Sequence, residues 1–133
     1  MTVAYVDTSA LAKLVIEEAE SSSLRSALSA TQSVTSVLAA VELLATVRRR
    51  DIEGGEALAG SAVGRLTLLP LSETILESAR GSHGLPALRA LDLLHLLTAR
   101  VARQALAATT LIAYDRELLE AARVDGFTTL SPA

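Results

Sequence analysis

Twice in this chain a short apolar run ends on an aspartate and gives way at once to a helical pattern, and this constrains the fold more than any other feature. The first run, residues 3–6, is β-branched and aromatic and closes on Asp7; from Thr8 onward Leu11, Leu14 and Val15 recur with helical period. The second, residues 109–114, closes on Asp115 and precedes a helix over 117–124. Between them the pattern predicts a polar break at 17–23, a short helix at 24–28, a brief strand at 33–36 and a helix at 37–50. Gly54 and Gly55 punctuate before a helix at 56–65 and an apolar strand at 66–71. Ser72, with Glu73 and Glu77 behind it, starts another helix; 81–86 is a loop, 87–107 a long helix and 127–130 a last strand. Strands alternating with helices imply an α/β fold, a single domain over residues 1–133 with a mostly parallel central sheet flanked by helices.

Of the 133 residues, half are apolar, which is ample for one core. Cysteine is absent, so no disulfide framework or thiolate metal site can be built, and a cytoplasmic location is the expectation. Residues 1–6 lack the basic start of a secretory signal. The longest uncharged stretch, residues 26–41, is shorter than a membrane span and rich in Ser, Thr and Gln, so no membrane association is expected. All basic residues but Lys13 are arginine; the plainest source of that bias is genome composition, and no function is drawn from it.

Four acids stand where acids are costly or telling. Asp7 and Asp115 follow apolar strands, and in open α/β sheets the carboxyl ends of strands are where ligands bind; the alternative role for each is a helix N-cap. Glu42 has Leu38, Ala39, Ala45 and Thr46 as helical neighbours, a mostly apolar face on which a lone carboxylate needs a cation or a partner unless it lies at the solvent edge. Asp92 lies inside Leu91-Asp92-Leu93-Leu94-His95, with an N-cap at residue 93 as its alternative. His95 is one turn on; a single histidine at this spacing suggests packing or a supporting hydrogen bond rather than ligation. Four carboxylates without Cys or a His pair describe a hard oxygen site for Mg²⁺ or Mn²⁺, suited to phosphate chemistry through a metal-activated water. The formal charge of -3 is weak evidence against a polyanionic partner. With these four set aside as ligands, 15 acidic groups become 11 against 12 basic ones, about +1. Arg89 and Arg116, beside Asp92 and Asp115, are candidate contacts to an RNA backbone; ordinary surface arginine is the alternative.

Tyr5-Val6-Asp7-Thr8-Ser9-Ala10-Leu11, Glu42-Leu43-Leu44, Leu91-Asp92-Leu93-Leu94-His95-Leu96 and Tyr114-Asp115-Arg116-Glu117-Leu118 together resemble the blocks of the PIN-domain ribonucleases, specifically the VapC-type toxins of bacterial toxin-antitoxin pairs. The blocks keep that family's order and spacing over essentially the whole chain. The resemblance implies a PIN-like fold, metal-dependent endoribonuclease activity, a homodimer, and neutralisation by a small antitoxin whose C-terminal segment covers the site. Many members carry Thr or Ser two residues before the last acid, where this chain has Ala113; Ser9 keeps a hydroxyl two residues after the first acid and is a candidate support for the metal site. A receiver-like Mg²⁺-binding module would need a late lysine, but Lys13 is in the first helix. A dehalogenase-type phosphatase would need Asp where Ser9 stands. A PIN fold that has lost catalysis and serves as an interaction module is the remaining alternative.

Overall fold

Strands and helices alternate as the sequence pattern predicts. The computed structural model describes residues 1–133. Its elements are β1 (Thr2–Val6), α1 (Thr8–Val15), α2 (Ser21–Ser29), β2 (Thr31–Ser36), α3 (Val37–Arg49), α4 (Gly55–Gly64), β3 (Thr67–Leu69), α5 (Glu73–Arg80), α6 (Ala90–Leu106), β4 (Thr110–Ile112), α7 (Arg116–Val124) and β5 (Thr128–Leu130). The strands form one sheet in the order β3-β2-β1-β4-β5, and every pairing is parallel. The chain winds outward from β1 first on one side and then on the other. Its topological switch point is therefore at the carboxyl ends of β1 and β4, where such sheets open a crevice.

Both faces of the central strands β1 and β4 are buried, which explains why these two read as apolar runs. Alternation along β1 sorts the two cores. Tyr5 packs with Val34, Leu96, Leu111 and Leu118 on the side of α6 and α7, whereas Ala4 and Val6 pack with Leu11, Leu24, Leu43 and Ile112 on the side of α1 to α4. Side-chain oxygens of Asp7, Ser36, Ser72 and Asp115 accept backbone N–H groups at the starts of α1, α3, α5 and α7.

Several boundaries differ from the sequence expectation, each for a local reason. Helix α2 begins at Ser21 rather than 24, where the Ser21 hydroxyl donates to Lys13 O and accepts from Glu18 N. Strand β2 begins at Thr31 rather than 33, because the whole of β1 is available to pair with it, starting from Thr2 opposite Thr31. Strand β3 keeps only Thr67–Leu69, since as an edge strand it has β2 alone to pair with. Helix α6 begins at Ala90 rather than 87, with Arg89 extended (φ -60°, ψ 150°). The segment ahead of it is tied down from α6 itself: Arg100 donates to His83 O while its other nitrogens grip Asp125.

Candidate active site

Helices α1 and α3 start directly after β1 and β2, and α7 starts shortly after β4, so the capping residues gather at the carboxyl edge of the sheet. Asp7 is both things that the sequence allowed, a cap and a strand-end acid. Its Oδ2 accepts from Ser9 N at 3.2 Å and Ser9 Oγ at 2.8 Å, while Ser9 Oγ in turn accepts from Tyr114 N at 2.9 Å. Ser9 thereby joins the first acid to the segment leading to the last one, across the switch point. Asp7 is only 4 % exposed.

Glu42, half-buried on α3, sits in neither open solvent nor an apolar void. Its Oε1 accepts from Thr8 Oγ1 at 2.8 Å and lies 2.5 Å from His95 Nε2. Burial works against the Glu42 charge, but the bonds from His95 and Thr8 outweigh it and hold this carboxyl below its ordinary range. For His95 burial alone would lower the pKa; the Glu42 hydrogen bond and the negative fields of Asp7, Glu42 and Asp92 raise it instead. The other ring nitrogen, Nδ1, is 2.7 Å from Tyr5 Oη. Burial, and then Asp7, push the Tyr5 hydroxyl well above its ordinary value, so it stays protonated.

Asp92 occupies the first turn of α6, with Arg89 at the cap position, so it does not cap a helix beginning at 93. Burial and then the charges of Asp115, Asp7 and Glu42 raise the Asp92 carboxyl, and His95 offsets only part of this. Asp115 caps α7, its Oδ1 accepting from Leu118 N at 3.0 Å. Arg89 and Arg116 are exposed at the starts of α6 and α7. Ala113, fully buried, packs in the core shared with Tyr5.

The donor chemistry fits a hard divalent cation. Asp7 Oδ1, Glu42 Oε2, Asp115 Oδ2 and both oxygens of Asp92 have no protein donor, and none of these atoms is sealed from solvent. His95 Nε2 approaches Asp7 Oδ1 only to 3.6 Å, too far for a hydrogen bond. Each tethered carboxylate thus keeps one oxygen free, and their mutual repulsion is what a cation would relieve. No three of these side chains are drawn into a closed ligand cage. A better enclosed cavity, about 470 Å³ beside α2, β2 and α4, has no carboxylate in its lining. The chemistry lies with the acids, on the more open edge; a groove of about 700 Å³ begins beside it between residues 86–88 and Arg116.

Sequence reasoning singled out the acids but not Thr8 or Tyr5, and it gave His95 no assigned partner. One signal was available: a tyrosine in a buried strand must find a partner for its hydroxyl, and a histidine on an apolar helix face is a fitting one.

The PIN domain family model matches residues 4–124. Ribonuclease VapC47 of Mycobacterium tuberculosis (strain CDC 1551 / Oshkosh) is 38 % identical over 133 residues, with 96 % of each chain covered. Ribonuclease VapC35 of the same strain is 35 % identical over 131 residues, again with 96 % of each covered. A solved toxin-antitoxin complex from Klebsiella pneumoniae contains a chain of the same fold, at a TM-score of 0.72 and 21 % identity, with 98 % of each chain covered. A family match across nearly the whole chain, close relatives over its full length and the doubly wound sheet agree: the chain belongs to the PIN domain family, among its VapC-type members.

Proposed function

We propose that this chain is an endoribonuclease that hydrolyses RNA phosphodiester bonds with Mg²⁺ or Mn²⁺ held by Asp7, Glu42, Asp92 and Asp115, and that it is the toxin of a toxin-antitoxin pair. The observation that carries this reading is the set of solvent-reachable carboxylate oxygens without protein donors at the switch point of a chain 38 % identical to a protein named a ribonuclease. A bound divalent cation would supply a water of lowered pKa and charge stabilisation at the phosphate.

The protein's part is positional. Ser9 and the α1 N-terminus fix Asp7 through Oδ2, and Thr8 with His95 fixes Glu42 through Oε1. Arg89 and Arg116 offer guanidiniums to the RNA backbone beside the acids. A metal-free route through a 2′-hydroxyl attack would want two histidines free to move protons. Here His95 is bonded at both nitrogens, and His83 lies in a loop with Nδ1 accepting from Leu85 N. Hydrolysis by water predicts 5′-phosphate and 3′-hydroxyl ends.

Val41 (62 % exposed) and Leu91 (47 %) neighbour Glu42 and Asp92 in sequence. Apolar groups so placed favour coverage by another chain, in this reading an antitoxin segment over the site and a second copy in a homodimer. No helix is long and apolar enough to cross a membrane. A cytoplasmic site of action accompanies the RNA substrate. The test is cleavage of structured RNA with Mn²⁺ and with EDTA: 5′-phosphate ends that appear only with metal support the proposal. Products with 2′,3′-cyclic phosphate in EDTA overturn it.

A further inference from the structure

The buried side chain with the most unusual company is His95. It is 1 % exposed on α6, and its two ring nitrogens reach side chains from three other elements. Nδ1 meets Tyr5 Oη of β1 at 2.7 Å; Nε2 meets Glu42 Oε1 of α3 at 2.5 Å and Thr8 Oγ1 of α1 at 3.2 Å. Helix α6 packs on the Tyr5 side of the sheet, whereas α1 and α3 pack on the side of Val6. The imidazole therefore bridges the two layers over the end of β1. Satisfying a buried imidazole takes a partner at each ring nitrogen; those of His95 are drawn so that four elements are joined and the chain of bonds ends on a carboxylate of the candidate site.

We propose that His95, oriented by Tyr5, is a positioning residue that fixes the rotamer of Glu42 through Oε1 and leaves Oε2 as the oxygen offered to the metal. This rests on the metallonuclease reading above. Glu42 Oε1 can only accept, so Nε2 carries the hydrogen given to it, with Thr8 Oγ1 as a weaker second acceptor; in the neutral ring Nδ1 is then the acceptor and takes the hydrogen of Tyr5 Oη. Thr8 Oγ1 donates its own hydrogen to the same Oε1, so that oxygen is doubly held while Oε2 has no protein donor. A glutamate has three rotatable bonds, and ordering it before the cation arrives removes a cost that binding would otherwise carry. Loss of a partner that orients a ligand from outside commonly weakens metal affinity about 10- to 100-fold.

The experiment compares full-length parent, His95→Asn, His95→Gln and Tyr5→Phe. A glutamine places its amide nitrogen near the position of Nε2 and an asparagine near that of Nδ1, so only the first keeps the donor to Glu42. Mn²⁺ affinity measured by calorimetry should fall about 10- to 100-fold in His95→Asn and recover to within a few-fold of the parent in His95→Gln. Tyr5→Phe, which keeps the core volume, should show an intermediate loss. In the metal-free parent, NMR should show a downfield, slowly exchanging imidazole Nε2–H that moves upfield in Glu42→Ala. Parent-like Mn²⁺ affinity in His95→Asn, or no such resonance, overturns the inference and leaves the metallonuclease reading standing. Equal losses in both His95 variants, tracking a drop in melting temperature, make His95 a purely structural residue and overturn it too. A parent that binds no Mn²⁺ overturns the metallonuclease reading, and the inference falls with it.

Discussion

Asp92→Asn should leave the metal-free protein as stable as the parent or slightly more so, while removing most of the stabilisation that Mg²⁺ confers. Asp92 makes no hydrogen bond that the substitution would break, and the amide has nearly the same volume. Two electrostatic effects compete. As a first-turn residue of α6 the carboxylate gains about 0.3–1 kcal/mol from the helix N-terminus. Against that stand burial and the charges of Asp115, Asp7 and Glu42, which raise the Asp92 pKa and so make its ionised form the costly one. Burial and three like charges outweigh the dipole together with His95, which offsets only part of the shift, and place the net change on the stabilising side, within about 1 kcal/mol. The metal effect is larger. At a free concentration about 100 times Kd a ligand of the folded state adds about 2.7 kcal/mol. With an unfolding entropy of about 2.1 cal/mol/K per residue over 133 residues, that corresponds to a rise of about 10 °C. If Asp92→Asn weakens binding about 100-fold, the same Mg²⁺ concentration adds only about 0.4 kcal/mol, or about 1–2 °C. Calorimetric melting of both proteins with Mg²⁺ and with EDTA measures all four values. A metal-free variant destabilised by more than about 1 kcal/mol, or a parent whose melting ignores Mg²⁺, refutes the argument.

Three further outcomes follow from particular contacts. Asp125 is held below the usual carboxylate range chiefly by the Arg100 hydrogen bonds, with Arg103 adding to them. Its folded pKa being the lower one, it contributes stability that is present above about pH 4 and lost as pH falls through the folded value. The gap between parent and Asp125→Asn, about 1–2 kcal/mol after allowing for partial exposure, should therefore close in acid unfolding curves. Gly55→Ala should destabilise by about 1–3 kcal/mol despite the better helix propensity, because the added Cβ would meet Val47 Cβ at 2.9 Å and Ile52 Cβ at 3.1 Å; urea unfolding reads this out. Arg116→Ala should weaken RNA binding and reduce the slope of log affinity against log salt by about 1; an unchanged slope would make it an ordinary surface arginine.

Local pattern carried a large share of this protein. The apolar runs ending at Asp7 and Asp115, and the helical periods of α3, α4 and α7, were legible to within about two residues. These segments write their burial into sequence: a strand covered on both faces must be apolar throughout, and an acid directly after it stands at the edge of the sheet. Boundaries slipped where the deciding partner was far along the chain. Thr31 joins β2 because β1 is there to pair with it, and residues 87–89 stay outside the helix although their composition allows one.

The same division runs through the site. Asp7, Glu42, Asp92 and Asp115 could be picked out because a carboxylate in an apolar context is anomalous by itself, and the family's blocks surround each one. Their arrangement was not legible. That Asp7 is at once a helix cap and a strand-end acid, that Ser9 ties it to Tyr114, and that His95 crosses from one layer to the other to hold Glu42 between Tyr5 and Thr8 are facts of the assembled sheet. Sequence by itself determined which residues are costly to bury and the period on which each element turns, since both are properties of neighbours along the chain. Only the tertiary structure decided which of those costly groups meet, because hydrogen bonds between residues separated by 34, 53 and 90 positions depend on where parallel strands place the ends of their helices.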